Sequence, residues 1–74
     1  MNMFLSEMQD KEVISIVNEL NYGHIIDVEL DSSGNIISFV AQNKKLLRTF
    51  KNDEVTFSYL QIEKIGKDVI LVRV

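Results

Sequence analysis

The sequence contains no cysteine, no proline and no tryptophan, and His24 is its only histidine. Each absence removes a class of chemistry. Without cysteine there is no disulfide framework, no thiolate zinc site, no iron–sulfur cluster and no cysteine nucleophile. One imidazole cannot serve a site that needs two. Long apolar runs are missing too, and nothing approaches the roughly 18 residues of a membrane span. Met1 to Leu5 is mildly apolar, but Ser6, Glu7, Gln9 and Asp10 cut it off. The basic start and apolar run of a secretory signal are therefore absent. Residue 2 is Asn rather than Gly, which excludes myristoylation. The expectation is a cytoplasmic protein with no membrane attachment.

What is present suits a small soluble domain: 74 residues, 46% apolar and 26% charged. That length gives one domain over residues 1–74. A chain this short buries only about 60–65% of the surface its unfolded form exposes. Without a cofactor or partner, its core supplies no more than about 5 kcal/mol net.

The formal charge of −3 is unevenly spread. Residues 1–31 hold seven acids against Lys11, a balance of −6. Residues 32–52 hold Lys44, Lys45, Arg48 and Lys51 with no acid, a balance of +4. The remainder is −1. Net acidity argues against tight non-specific DNA binding, which needs a broad positive surface. The compact basic segment keeps a weaker nucleic-acid contact open.

Ser6-Glu7-Met8-Gln9 has the form of a capping box and predicts one helical turn over residues 7–10. Glu12 to Val17 reads as a strand, and Asn18 to Asn21 as a turn. From Gly23, Ile26, Val28 and Leu30 alternate with Asp27, Glu29 and Asp31, the period of a strand with one buried face. Asp31-Ser32-Ser33-Gly34-Asn35 predicts a hairpin connection. A strand follows over Ile36 to Ala41, then a long excursion over 42–52. Val55 to Tyr59 is the next strand, with Val55, Phe57 and Tyr59 on one face. A short segment reaches Ile62 and Ile65, Gly66-Lys67 turns the chain, and Val69 to Val74 is the last strand. Strands Ile36–Ala41 and Val69–Val74 look apolar on both faces. Five or six short antiparallel strands are too few for a sandwich, so an all-β, closed or nearly closed small barrel is expected.

The stretch Ile62-Glu63-Lys64-Ile65-Gly66-Lys67-Asp68-Val69-Ile70-Leu71-Val72 resembles the closing segment of the PRC-barrel family, in its small stand-alone, sporulation-associated branch. The Leu-Ser-Glu-Leu start of that branch is matched by Leu5-Ser6-Glu7-Met8, followed by Asp10-Lys11-Glu12-Val13-Ile14. Its Leu-Gly-x-Ile-x-Asp-x-Glu-x-Asp stretch is echoed by Tyr22-Gly23-His24-Ile25-Ile26-Asp27-Val28-Glu29-Leu30-Asp31, and its Gly-x-Ile by Gly34-Asn35-Ile36. The resemblance covers nearly the whole chain. Three departures stand out: Glu19 where the branch has Gly, Phe57-Ser58-Tyr59 where it has Ile-Pro-Trp, and only a loose match over 42–52. The resemblance implies a small SH3-like barrel used for assembly and docking, as in a ribosome-maturation factor and a photosynthetic reaction-centre subunit. It implies no catalytic residues and no cofactor.

Four groups of residues are candidates for chemistry. Asp31-x-Ser33-x-Asn35 imitates the start of a calcium loop, but Gly34 and Gln42 stand at the wrong positions, and a turn explains it better. Asp27, Glu29 and Asp31 place three carboxylates about 7 Å apart along one strand face, suited to a basic partner or simply to solvent. His24 has the opposite parity and joins them only if a bulge intervenes; beside a turn it reads as a structural residue. Lys44, Lys45, Leu46, Leu47, Arg48, Phe50 and Lys51 combine apolar anchors with a basic rim, suited to an acidic protein surface or RNA, or else to capping the barrel end. No nucleophile, isolated acid pair, metal set or small-molecule site emerges. The expectation is a non-enzymatic protein-interaction module without cofactor. The alternative is an RNA- or ribosome-associated factor acting through residues 44–51. Phe57, Tyr59 and the last strand also offer apolar surface for a homodimer.

Overall fold

The structure is a computed structural model and describes residues 3–43 and 54–74. Six strands and one short helix appear in it: α1 (Leu5–Gln9), β1 (Glu12–Ser15), β2 (His24–Leu30), β3 (Ile36–Gln42), β4 (Glu54–Phe57), β5 (Ile62–Ile65) and β6 (Val69–Val72). A 3-10 turn over Tyr59–Gln61 joins β4 to β5. The strands form two three-stranded sheets, ordered β1-β6-β5 and β2-β3-β4. The mostly β character expected from the strand and turn pattern is present. One pairing differs from expectation: β1 runs parallel to β6, with Val13 opposite Ile70 and Ser15 opposite Val72. That contact joins the two ends of the chain, so no local turn signal announces it.

The sheets meet where the chain passes from β1 to β2. Val13 N–H donates to the Gly23 carbonyl and Tyr22 N–H to the Val13 carbonyl, both at 2.7 Å. Strand β1 stops at Ser15, two residues short of the expected end, because Ser15 rebuilds the backbone there. Its fully buried hydroxyl donates to the Val74 carbonyl and accepts the N–H groups of Val17 and Asn18. Glu19 then takes a left-handed conformation (φ 64°) and donates its N–H to the Ser15 carbonyl. This is the position where the related branch carries Gly.

Helix α1 starts earlier than the Ser6–Gln9 box suggested. Glu7 reaches back to accept the Phe4 N–H at 2.9 Å, while Gln9 donates its side-chain amide to the Ile25 carbonyl. The Lys11 ammonium donates to the Gly66 and Lys67 carbonyls, tying the end of α1 to the β5–β6 turn.

Eight buried apolar side chains form the core: Met8, Val13, Ile25, Phe39, Ala41, Phe57, Ile70 and Val72. Phe39 and Phe57 face each other across β3 and β4 and stack with centroids 5.5 Å apart. The expected buried face of β2 is corrected in two places. Ile26 is an extra residue in a bulge between the Ile25–Ala41 and Asp27–Val40 pairs, and it is exposed. The inward set is therefore Ile25 and Val28, three residues apart. Leu30 keeps the inward side but is more than half exposed, since it lies past the end of the core. Tyr59 leaves the β4 face for the 3-10 turn and is also exposed.

Candidate functional site

The bulge at Ile26 decides what the outer face of the β2-β3-β4 sheet displays. One residue is inserted, so the parity of β2 flips and His24 joins Asp27 and Glu29 on the outer face. Directly opposed residues share a face, and the register reads across the sheet in rows. The first row is His24, Gln42 and Glu54; the second is Asp27, Val40 and Thr56; Glu29 and Ser38 form the third. Three carboxylates and one imidazole are thus displayed with no lysine or arginine in any row. Glu54, absent from the sequence-derived set, joins through the β3–β4 register.

Asp27 and Glu29 each have a local hydrogen-bonding role. The Asp27 carboxylate accepts the Val28 N–H at 2.9 Å, and Glu29 accepts the buried Ser38 hydroxyl at 3.1 Å. Asp31 does not belong to this face. It opens the β2–β3 turn, where its carboxylate accepts the N–H groups of Ser33 (2.9 Å) and Asn35 (3.0 Å) while Gly34 takes φ 91°. Those bonds, from Asn35 first and then Ser33, hold the Asp31 carboxyl below its ordinary range. The turn reading of Asp31, Ser33 and Asn35 accounts for their spacing. Among the described residues, no three His, Asp or Glu side chains converge to hold a metal ion.

His24 is fixed from below: its Nδ1 lies 3.0 Å from the Gln9 carbonyl. A carbonyl only accepts, so Nδ1 carries the proton and Nε2 is turned away from that bond. The ring borders a shallow cleft of about 370 Å³ lined by Glu12, Asn21, Gly23, Ile26 and Gln42. Close backbone approach builds its floor. Gly23 has φ +78°, and a Cβ there would overlap the Gln42 carbonyl and come within 2.6 Å of the Asn43 Cα. The polar wall is internally paired, with the Asn21 amide donating to Glu12 and its oxygen accepting the Gly23 N–H.

The basic candidates Lys44, Lys45, Leu46, Leu47, Arg48, Phe50 and Lys51 lie outside the described residues. Phe57, offered by the sequence as dimer surface, is 1% exposed and stacked in the core, so it is not available for one. Tyr59, offered with it, is exposed, whereas the last strand buries Ile70 and Val72 and half-buries Val69 and Leu71; the structure further exposes Leu30, Ile36 and Ile37 at the end of the β2–β3 hairpin and Leu60 in the 3-10 turn. The signal that could have located Leu30 and Ile36 is their position flanking the Asp31–Asn35 turn. Among the described residues, no helix is long and apolar enough to cross a membrane.

Two short sheets, a brief N-terminal helix and a last strand returning to the first are the setting in which the family comparison falls. The PRC-barrel domain model matches residues 1–74, and the chain belongs to that family. It is also 38% identical, over 72 residues, to the "Probable sporulation protein YlmC" of Bacillus subtilis (strain 168), covering 93% of this chain and 89% of that protein.

Proposed function

We propose that the protein is a non-enzymatic interaction module: a small SH3-like barrel of the PRC type, made by the two sheets, that docks another protein in the cytoplasm. One observation carries the reading. Among the described residues, eleven large apolar side chains are exposed, while eight apolar residues form the core. Scattered exposed leucines are normal, and seven further apolar residues pack half-buried against the core, but so many exposed apolar side chains on so small a domain suit it to covering part of them with a partner. The outer face of β2-β3-β4, with no lysine or arginine among its described residues, adds a preference for a basic partner surface. Likeness to a protein named for sporulation supports a role in that process.

The test is a pull-down from the native cell with the wild-type chain and with a variant carrying Asp27→Asn, Glu29→Gln and Glu54→Gln. The expected result is a partner retained by the wild type and lost by the variant. A second bait reverses the charge of Lys44, Lys45, Arg48 and Lys51. Unchanged recovery with both baits would count against a charge-selected docking module. If the purified chain instead binds structured RNA with affinity falling steeply with salt, the basic 44–51 segment is an RNA contact and the alternative reading replaces this one.

A further inference from the structure

Hydrogen bonding around the cleft beside His24 leaves acceptors, rather than donors, to face it. Glu12 opens β1, and the Asn21 amide donates to its Oε1 at 3.2 Å; its Oε2 has no donor among the described residues. His24 gives its Nδ1 proton to the Gln9 carbonyl, so Nε2 of the neutral ring carries a lone pair on the opposite edge. Gln42, directly opposite His24 in the β2–β3 register, is half-buried and adds a side-chain amide oxygen as a third acceptor. Glu54 lies one strand further along the same row and brings a second carboxylate roughly 10 Å from His24. Among the described residues lining the cleft, none is a lysine or arginine. Its apolar part comes from Ile26, which the bulge turns out of the core and exposes at the opening.

We infer that this cleft is the anchor point for an arginine side chain of a basic protein partner, its guanidinium donating to Glu12, His24 and Gln42 while its aliphatic stem lies along Ile26. The inference rests on the docking reading above and names the group that the acidic face selects. Charge complementarity assigns the sign. A carboxylate with an open oxygen and an acceptor imidazole favour a cation over an anion or a neutral group. The number and spread of the acceptors assign the side chain. An ammonium is a compact charge with three donors, whereas a guanidinium carries five in a planar fork and reaches acceptors on three strands at once. The apolar stem of arginine suits the exposed side chain of Ile26. At about 370 Å³ the cleft has room for one such side chain, near the lower end of sites that hold a small ligand. It is also preorganised, since Asn21 holds both Glu12 (3.2 Å) and the Gly23 N–H (2.7 Å) in place. Free arginine suits it less well, because an α-carboxylate meets no cation among the described lining residues. An arginine within a polypeptide brings no such charge.

The experiment is an NMR titration of the isotope-labelled full chain with the capped peptide acetyl-Gly-Arg-Gly-amide, at low salt and about pH 7.5. Saturable shifts of the Gly23, His24 and Gln42 backbone amides are expected, with a dissociation constant of about 0.3–3 mM for one anchored side chain. The same peptide with citrulline, a neutral isostere of arginine, should bind at least about tenfold more weakly, and the lysine peptide at least about threefold more weakly. Glu12→Gln keeps an oxygen for the Asn21 amide and should weaken the arginine peptide at least about fivefold. Glu19→Gln removes the same charge at an exposed position in the β1–β2 turn and should leave binding unchanged. The spectrum of each variant checks that it remains folded. Absence of saturable shifts at these amides up to about 20 mM peptide overturns the inference. So does equal binding of the arginine peptide and either analogue, or indifference to Glu12→Gln. Free L-arginine binding more tightly than the capped peptide would make the cleft an amino-acid site and overturn the partner assignment. If the cleft takes no arginine yet the Asp27, Glu29 and Glu54 variant still loses its partner in the pull-down, the anchor is refuted while the docking-module reading stands.

Discussion

Replacing Gly23 by alanine sets two separable penalties against one small domain. The first is conformational: Gly23 sits at φ +78°, and a left-handed backbone costs an L-residue roughly 1–2 kcal/mol. The second is steric. The new Cβ would overlap the Gln42 carbonyl and lie 2.6 Å from the Asn43 Cα, and both obstacles are backbone rather than the yielding end of a side chain. Relief requires the start of β2 to move away from the end of β3, straining the 2.7 Å bond by which the Gly23 carbonyl holds Val13. Adding about 1–3 kcal/mol for such overpacking gives a loss of about 2–5 kcal/mol. The whole domain has only about 4–5 kcal/mol, the low end of typical stability per residue. Gly34 provides the internal control. It has φ +91°, but a Cβ there meets nothing within 4 Å, so Gly34→Ala should cost only the conformational part. Urea and thermal unfolding of the two variants should separate their midpoints by about 5 °C or more, with Gly23→Ala the lower. Equal midpoints would refute the close approach of Gly23 to the end of β3, and with it the cleft floor.

The same backbone logic predicts a gain at Glu19. Glycine there relieves the left-handed strain at φ 64° while keeping the N–H bond to Ser15, and part of the benefit is offset by greater freedom when unfolded. Glu19→Gly should raise the melting temperature by several degrees, about 0.5–1 kcal/mol, and a fall would show that Glu19 has a contact worth more than its strain. Asp31 predicts a pH dependence. Its folded-state pKa is lowered by the Asn35 and Ser33 N–H bonds, so its contribution is complete above the unfolded value near 3.8 and is lost as pH falls through the folded one. The stability difference between wild type and Asp31→Ala should therefore be constant from about pH 5 to 7 and close below about pH 4; a difference independent of pH down to 2 would contradict it.

The strands and the hairpin turn were legible because both depend on local chemistry. Runs of Ile and Val favour extended backbone, and Asp31 with Gly34 is turn chemistry in itself. The faces of β2 were not, since alternation cannot reveal an inserted residue. Ile26 fits the period as well as Ile25 does, and only pairing with Ala41 and Val40 decides which one turns inward. The helix start was misplaced for a related reason: Phe4 to Glu7 and Ser6 to Gln9 have the same spacing, and packing of Gln9 against β2 selects the earlier one. Parallel pairing of β1 with β6 links residues almost sixty positions apart and leaves no local trace. The placement of the acidic residues was only partly legible. Asp27 and Glu29 share the face, but Asp31 is drawn into the turn by its own hydrogen bonds.

The two bulges assign different tasks to successive parts of one hairpin. Before Ile26, the inward Ile25–Ala41 pair lies in the core and the His24–Gln42 pair lies outward at the cleft. Between the bulges, Val28 and Phe39 complete the inward side while Asp27 and Glu29 face out. Beyond Ile37, the inward side has no core left to join, and its apolar pair becomes surface. With uninterrupted alternation, His24 would share the inward side of β2 with Val28, and Ile25 would turn out among the acids. The insertion at Ile26 lets the strand bury Ile25 and Val28 together while keeping charge and imidazole in solvent. Length then does the rest, because a seven-residue hairpin on a four-residue sheet leaves an apolar end that the chain's other strands do not reach. The acidic face and the exposed apolar end are thus two results of the same hairpin register, placed at different points along it.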